Sequence, residues 1–265
     1  MIIDFHTHIF PDKMAVRTIE HLSKSGGIPA FSDGTASGLC AEMERGGVDL
    51  SVALPVLTSP AQFDSVNRYA EAINRESKSI ISFAGIHPRC ENISEKMQSI
   101  RARGFLGVKI HPDYQEAFID DDGYIEILEA AKREGLIVVA HSGVDGAYRG
   151  LPVRCTPSRA KRVIDSVRPE KFVLAHYGAN EMFSEVIESL AGERVYFDTA
   201  YILSYIGDAD FHKILEKHGA DKILFATDSP WTDVRASVER LRSFSLDEKT
   251  EEMIFSGNAK SLLGI

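Results

Sequence analysis

The chain has 265 residues, of which 44% are hydrophobic and 26% are charged; this is the composition of an ordinary globular protein with a sizeable core. Its formal net charge of -9 disfavours capture of a polyanion, so nucleic acid is not an expected partner. No apolar stretch approaches the roughly 20 residues of a membrane span, and Asp4 and His6 interrupt the first apolar run too early for a signal peptide. We therefore expect a cytoplasmic protein, and the three scattered cysteines suit reduced thiols.

Short β-branched runs alternate with helical patterns along the chain, which is typical of βαβ units with a parallel sheet. Strands are predicted at 2–6, 50–55, 80–86, 105–111, 136–141, 171–176, 194–199 and 222–228. Helices are predicted at 35–45, 61–78, 93–103, 122–134, 157–167, 181–191, 208–218 and 232–244, with a last helix from 247 to about 263. Eight such repeats predict an α/β fold, a distorted (β/α)8 TIM barrel in a single domain over 1–265. An open doubly wound sheet is the alternative that periodicity leaves.

Two segments do not fit the simple repeat. Residues 11–27 read as an extra helix after the first strand, and residues 142–155 follow the fifth strand. In a barrel, the loops after the carboxyl ends of the strands lie on the catalytic face. We therefore expect both segments to shape a substrate pocket rather than to form a separate domain.

Six of the nine histidines lie at or just past the end of a predicted strand, and an aspartate follows the last strand in the same way. They are His6, His8, His87, His111, His141, His176 and Asp228. Side chains two apart on a strand point to the same side, so His6 and His8 are neighbours. One ion could take both imidazoles at roughly 2.0–2.1 Å, with further ligands from His141 and His176 and with Asp228 closing the ring. The pattern predicts a metal-centred active site.

These strand-end residues resemble the ligand set of the amidohydrolase superfamily of metal-dependent (β/α)8 enzymes. Three strings are similar to its amidohydrolase-2 branch: GVKIHP at 107–112, AHYG at 175–178 and TDSPW at 227–231. That branch includes the aminocarboxymuconate semialdehyde decarboxylases and predicted metal-dependent hydrolases of the TIM-barrel fold. The resemblance spans nearly the whole chain and is specific for the site architecture, whereas hydrolases, decarboxylases and hydratases share the scaffold.

The resemblance implies that His6, His8 and Asp228 bind a divalent metal and that His141 is a further ligand. His176 is then either a ligand of a second metal or an uncoordinated acid/base beside a single one. One or two ions are expected, with zinc as the default and manganese, iron or cobalt as alternatives. Such a metal brings the pKa of a bound water towards about 7, and Asp228 would take a proton from that water.

Lys109 bears on whether the site holds one ion or two. It lies on the fourth predicted strand, with the same parity as His111. In binuclear relatives such as dihydroorotases, a lysine on this strand is carboxylated and bridges two metals. An unmodified lysine that contacts an anionic substrate or a neighbouring carboxylate is the alternative. TatD-type nucleases tend to carry a glutamate on this strand, and its absence disfavours a nuclease.

Further residues lie where substrate contacts are expected. The candidates are His87, His111, Arg149, Arg154, Asp198 and Trp231. Arg149 and Arg154, in the loop after the fifth strand, would clamp a carboxylate bidentately unless they are solvated loop charges. Asp198 would touch the substrate or hold a neighbouring histidine.

The sequence thus predicts a metal-dependent hydrolase that attacks an amide, lactam or lactone of a small, carboxylate-bearing substrate through a metal-activated water. The close alternative is a non-oxidative decarboxylase, in which His176 is the acid/base and Lys109 is unmodified. A TatD-like nuclease and a metal-binding protein without turnover are weaker alternatives. The expected partner is a small-molecule substrate, with no nucleic acid and no membrane, and the sequence leaves the oligomeric state open, with a homodimer as one possibility.

Overall fold

Nine short parallel strands form the centre of the computed structural model, which describes residues 1–265. They are β1 Ile3–Thr7, β2 Leu50–Ala53, β3 Ile80–Ser82, β4 Ala84–Gly85, β5 Gly107–Ile110, β6 Ile137–Ala140, β7 Phe172–Leu174, β8 Tyr196–Asp198 and β9 Ile223–Leu224. They neighbour one another in chain order, in one sheet from β1 to β3 and a second from β4 to β9. The third predicted strand is interrupted at Phe83 and therefore supplies both β3 and β4.

The first and last strands meet, so that the strands surround a common axis. The Phe5 amide donates to the Phe225 carbonyl at 2.9 Å, and the Asp228 amide donates to the His6 carbonyl at 2.9 Å. The predicted (β/α)8 barrel is therefore confirmed, and parallel pairing brings the carboxyl ends of all strands to one rim.

Helices follow the strands as predicted. They are α1 Asp12–Gly26, α2 Ala36–Gly46, α3 Phe63–Glu76, α4 Ile93–Ala102, α5 Asp122–Glu134, α6 Pro157–Val167, α7 Phe183–Ser189, α8 Asp208–His218, α9 Val234–Ser243, α10 Glu248–Glu252 and α11 Asn258–Leu263. A π-helical turn joins α10 to α11. Helix α7 is shorter than predicted because Glu181 has φ 59 and so cannot begin a right-handed helix. None of the helices combines the length and hydropathy that crossing a membrane requires.

The strands separate two apolar layers. Along β6, Ile137 and Val139 belong to a cluster of 15 buried residues, whereas Val138 and Ala140 belong to one of 56. This alternation assigns the smaller cluster to the inside of the ring and the larger to the space between strands and helices.

The pairing of β1 with β2 shifts register between Asp4 and Thr7. Such an irregularity re-aims side chains, and here Phe5 packs in the inner cluster while its neighbour, His6, enters the site.

Candidate metal centre

A cavity of about 700 Å³ opens at the carboxyl ends of the strands. Both irregular segments line it, with Met14 from α1 and Arg149 from the loop after β6. They meet where Gly146 approaches α1 so closely that a Cβ there would lie 2.8 Å from the Gly26 carbonyl oxygen. The two segments therefore shape the pocket, as their positions in the sequence predict.

Three atoms on the cavity floor form a nearly equilateral triangle. His6 Nε2 and His8 Nε2 lie 3.2 Å apart, and Asp228 Oδ1 lies 3.4 Å from the first and 3.2 Å from the second. For metal bonds of roughly 2.0–2.1 Å, tetrahedral geometry separates ligand atoms by about 3.3–3.4 Å. These residues therefore fit a divalent metal as they stand, and their nitrogen and carboxylate donors suit zinc, manganese, iron or cobalt.

The hydrogen bonds behind the two histidines determine which nitrogen faces the cavity. His8 Nδ1 donates to the Leu54 carbonyl at 2.9 Å, and His6 Nδ1 donates to Asp198 Oδ2 at 2.9 Å. Both acceptors keep the proton on Nδ1, so each Nε2 presents a lone pair. Burial, together with the nearby Lys109 ammonium, holds the pKa of His6 well below its ordinary value and keeps the ring neutral. Three lone pairs that converge in this way are stabilised by a cation.

Strand β1 also anchors the segment that carries Asp228. The buried Asp4 carboxyl accepts from the Thr227 amide at 3.0 Å and from the Thr227 hydroxyl at 2.6 Å. Burial raises the pKa of Asp4 to about 7. Burial also acts to raise the pKa of Asp228, but the surrounding histidines, His6 first, outweigh it and hold that pKa below its ordinary value. Asp228 is therefore a carboxylate, the form that binds a metal.

Backbone strain is concentrated around the cavity. Four lining residues other than glycine have positive φ: His176 (60), Glu181 (59), Tyr201 (66) and Asp228 (69). Side chains make this conformation costly, so it persists where the surrounding structure enforces it, often at functional sites. At Tyr201 the chain turns so tightly that the Ile202 amide donates to the Ala200 carbonyl at 2.7 Å. The same carbonyl accepts from His176 Nδ1 at 3.0 Å, so the strained turn orients His176.

His176 and His141 form a pair beside the triangle. Because His176 Nδ1 carries its proton, His176 Nε2 accepts from His141 Nδ1 at 2.9 Å. The His176 ring lies 5.4 Å from the His6 ring, measured between centroids. His141 Nε2 faces Asp113 Oδ2 at 3.8 Å, and neither atom has a hydrogen-bond partner. His141 is thus turned away from the triangle, and its role as a metal ligand stays a prediction.

Lys109 reaches the same corner of the cavity. Its side chain is 1% exposed, and its Nζ lies 3.0 Å from His6 Nε2. Burial lowers the pKa of Lys109 to about 8, against the opposing effect of Asp198 and Asp228. The lysine is therefore close enough to influence a metal at the triangle. Its carboxylation stays a prediction.

A second group of ligand-type atoms, from His111, His141 and Asp145, lies within 4.8 Å on the cavity wall. The Tyr114 amide donates to His111 Nδ1 at 3.3 Å, which leaves the proton of the neutral ring on Nε2. That nitrogen lies 3.5 Å from Asp145 Oδ2. A protonated nitrogen donates a hydrogen bond and cannot coordinate a metal. We therefore assign His111 and Asp145 as a pair in polar contact that faces the cavity.

Three predicted substrate contacts lie outside the cavity lining. Asp198 is fully buried, and it holds His6, which was the second of its two predicted roles. His87 is buried, and its Nδ1 accepts from the Arg89 amide at 3.1 Å, so this ring stabilises a turn. Arg154 lies 3.5 Å from Asp113 and is held there. None of the three lines the cavity, and their direct contact with the substrate stays a prediction.

The remaining predicted contacts do line the cavity. Trp231 and His111 belong to its wall. Arg149 lies at the rim, where both of its terminal nitrogens bind the Glu181 carboxylate, one of them at 3.0 Å. The arginine is therefore already engaged by Glu181, and its contact with a substrate carboxylate stays a prediction.

Sequence reasoning missed several lining residues in the loops. Tyr114, Asp145 and Tyr201 all line the cavity. The available signal was their position, because Tyr114 follows His111 by three residues and Asp145 follows His141 by four. Residues that closely follow a strand end in a barrel lie on the catalytic face.

Solved structures resemble this chain over its whole length. An uncharacterized TIM-barrel protein from Bordetella bronchiseptica gives a TM-score of 0.76 at 18% identity, over 99% of this chain and 98% of that one. The 5-carboxyvanillate decarboxylase from Sphingomonas paucimobilis gives 0.69 at 16% identity, over 100% and 99%. A dihydroxybenzoic acid decarboxylase from a Polaromonas species, solved with manganese and the inhibitor 2-nitroresorcinol, gives 0.73 at 15% identity, over 99% and 96%. At these identities, the likeness shows the fold alone.

A comparison with curated protein sequences gives no match. A family model does match, and it covers residues 3–265. This range contains the triangle of His6, His8 and Asp228, the His176 pair and every strand of the barrel. The chain therefore belongs to the amidohydrolase family described by the Amidohydro_2 model, in agreement with the resemblance seen in its sequence.

Proposed function

We propose that this protein is a metal-dependent decarboxylase that removes a carboxylate group from a small organic acid. The observation that carries the proposal is the combination of a metal-ligand triangle with an imidazole, His176, whose ring lies 5.4 Å from His6 and does not belong to the triangle. Two similar structures are decarboxylases of substituted aromatic acids, and one of them was solved with manganese. Both support this reaction class.

The side chains have distinct tasks in this reaction. His6, His8 and Asp228 would hold the metal, with His141 as a further candidate, and the metal supplies positive charge for an anionic substrate oxygen. When the bond to the carboxylate carbon breaks, its electron pair stays on the remaining carbon, which takes a proton, and carbon dioxide leaves. His176 would deliver that proton from Nε2 after taking one up from solvent there, because its other proton stays on Nδ1 in the bond to the Ala200 carbonyl that fixes the orientation of the ring.

The apolar part of the cavity supports the same reaction. Leu54, Val56 and Phe10 are among the apolar residues that line it. A carboxylate is unfavourable against such a surface, whereas carbon dioxide is neutral and is not. The lining therefore favours loss of the charged group.

Hydrolysis of an amide, lactam or lactone is the second candidate. Asp228 favours it, since its carboxylate remains charged at one corner of the triangle and can accept a proton from an attacking water. In the decarboxylase this carboxylate serves only as a ligand, and no water attacks the substrate. The two candidates therefore differ in whether an oxygen atom from solvent enters the organic product.

The test is an isotope balance on manganese- and zinc-loaded protein with hydroxybenzoates and with lactones in water enriched in oxygen-18. Decarboxylation releases one carbon dioxide for each substrate consumed and leaves no heavy oxygen in the organic product. Hydrolysis incorporates heavy oxygen without gas release.

His176→Asn should lower the decarboxylation rate by about 100- to 10,000-fold, as expected for loss of an acid/base group. His212→Asn, at an exposed position on α8, is the matched control. Metal-loaded protein that releases no carbon dioxide from any acid contradicts the proposal.

A further inference from the structure

We infer that the substrate carries a hydrogen-bond donor, a hydroxyl or protonated amino group, that binds Asp145, and that the cavity rejects dicarboxylates. This inference rests on the proposed function, in which one carboxylate of the substrate lies at the metal position. The donor group lies at the end of the substrate that is remote from this carboxylate.

The charges of the lining set this preference. Its lysine and arginine residues are Lys109 and Arg149. Lys109 is buried against His6 on the floor, and Arg149 is bound through two nitrogens to Glu181. Neither base is therefore free to receive a second carboxylate. Asp145 is the lining acid that is neither part of the triangle nor paired with an arginine.

Asp145 retains unused acceptor capacity. Its Oδ1 accepts from the Ala147 amide at 2.8 Å, and its Oδ2 lies 3.5 Å from the protonated His111 Nε2. A carboxylate has about four acceptor positions, so about two remain. The side chain is 14% exposed and lies on the cavity wall. The remaining positions are therefore available to a donor on the substrate.

Asp145 and the metal triangle lie within range of one small molecule. Burial first, and then the charges of Asp145 and Asp228 among other groups, raise the pKa of Tyr114. Asp145 and Asp228 line the same cavity, and the His141 ring, which stacks on His111 at 4.0 Å between centroids, bridges the wall to His176 beside the triangle. Tyr114 is also in edge-to-face contact with His111, at 4.4 Å between ring centroids. A rigid substrate with its anionic group on the floor would present its other end to the wall of Asp145, His111 and Tyr114.

The preference for a donor follows from the negative charge of Asp145 and from its oxygens, which can only accept hydrogen bonds. A hydroxyl or ammonium group donates to Asp145, whereas a second carboxylate would be repelled and would leave lone pairs facing lone pairs. Asparagine at this position keeps an oxygen for the Ala147 amide and removes the charge. Asp145 precedes a short 3-10 helix, Gly146–Tyr148, and asparagine is also favourable at such a start, so the Asp145→Asn protein should fold.

The experiment is calorimetric binding of rigid probes to manganese-loaded protein. The probes are benzoate, para- and meta-hydroxybenzoate, para- and meta-aminomethylbenzoate, terephthalate and isophthalate. Donor-bearing probes should bind about 10-fold or more tightly than dicarboxylates in the native protein. In Asp145→Asn the ratio should fall below about 3-fold, because the charge that repels the dicarboxylate is gone. Asp233→Asn, which changes the helix-capping aspartate of α9 outside the cavity, should leave the ratio unchanged.

Equal or tighter binding of the dicarboxylates overturns the inference, as does failure of every donor-bearing probe to bind or a ratio that Asp145→Asn leaves unchanged. These results are separable from the fate of the proposed function, because binding requires no turnover. Discrimination without carbon dioxide release would refute the decarboxylase and keep the preference. Equally fast carbon dioxide release from dicarboxylates and hydroxy acids would support the decarboxylase and refute the preference for a donor group.

Discussion

Replacing Asp198 by asparagine should weaken metal binding although Asp198 lies outside the triangle. Asp198 Oδ1 accepts from the amides of His176 at 2.9 Å and Ala200 at 3.1 Å, and the asparagine oxygen can keep both bonds. The amide nitrogen would then replace Oδ2, which now accepts from His6 Nδ1 at 2.9 Å. Two donors cannot share that contact, so the His6 proton would move to Nε2, and the triangle would lose one lone pair.

Loss of such an orienting partner typically lowers metal affinity by about 10- to 100-fold, which corresponds to about 1.4 to 2.7 kcal/mol. The assay is zinc and manganese titration against a competing chelator, with thermal unfolding of the metal-free protein measured in parallel. Asp49→Asn is the control, because Asp49 also binds a main-chain amide, that of Ile2 at 2.7 Å, but lies outside the cavity. Native metal affinity in Asp198→Asn would refute the tautomer argument, and so would an equal loss in the control.

Two further predictions concern stability. His218 stacks on Phe197 at 3.8 Å between ring centroids, and burial lowers the pKa of His218 to about 3. The unfolded chain therefore binds a proton at His218 more readily than the folded chain does. The stability that neutral His218 contributes is complete above about pH 6.5 and is lost as the pH falls towards 3. Urea unfolding at several pH values should show this decrease in the free energy of unfolding, and His218→Asn should make the decrease smaller. Phe83 is fully buried between β3 and β4, so Phe83→Ala should cost about 3 to 5 kcal/mol in the free energy of unfolding. Phe31→Ala, at a residue that is 45% exposed, should cost far less in the same urea titration, and similar losses at the two sites would contradict the assigned core.

The barrel and the metal triangle were predictable because each depends on a local pattern. Alternating strand and helix periods predict the repeat, and a histidine or aspartate at a strand end identifies the catalytic rim. The state of Arg149 was not predictable, because its partner Glu181 is 32 residues away and on a different loop. The choice between the two roles predicted for Asp198, which ends its strand much as Asp228 does, was hidden for a related reason. Both follow apolar strand runs, and only the packing of β8 shows that Asp198 is enclosed behind His6.

The metal site and the closure of the barrel depend on the same contacts. His6 and His8 come from the first strand and Asp228 from just after the last one, so the triangle exists only when these strands meet. The main chain joins them through the Asp228 amide to the His6 carbonyl at 2.9 Å and the His8 amide to the Ser229 carbonyl at 2.7 Å. Asp4 adds its two bonds to Thr227 directly below. A metal that binds only the closed form stabilises that form by its own binding free energy. Charged and polar residues where the first and last strands meet are thus compatible with stability, because an ion bound to them would favour the fold that brings them together.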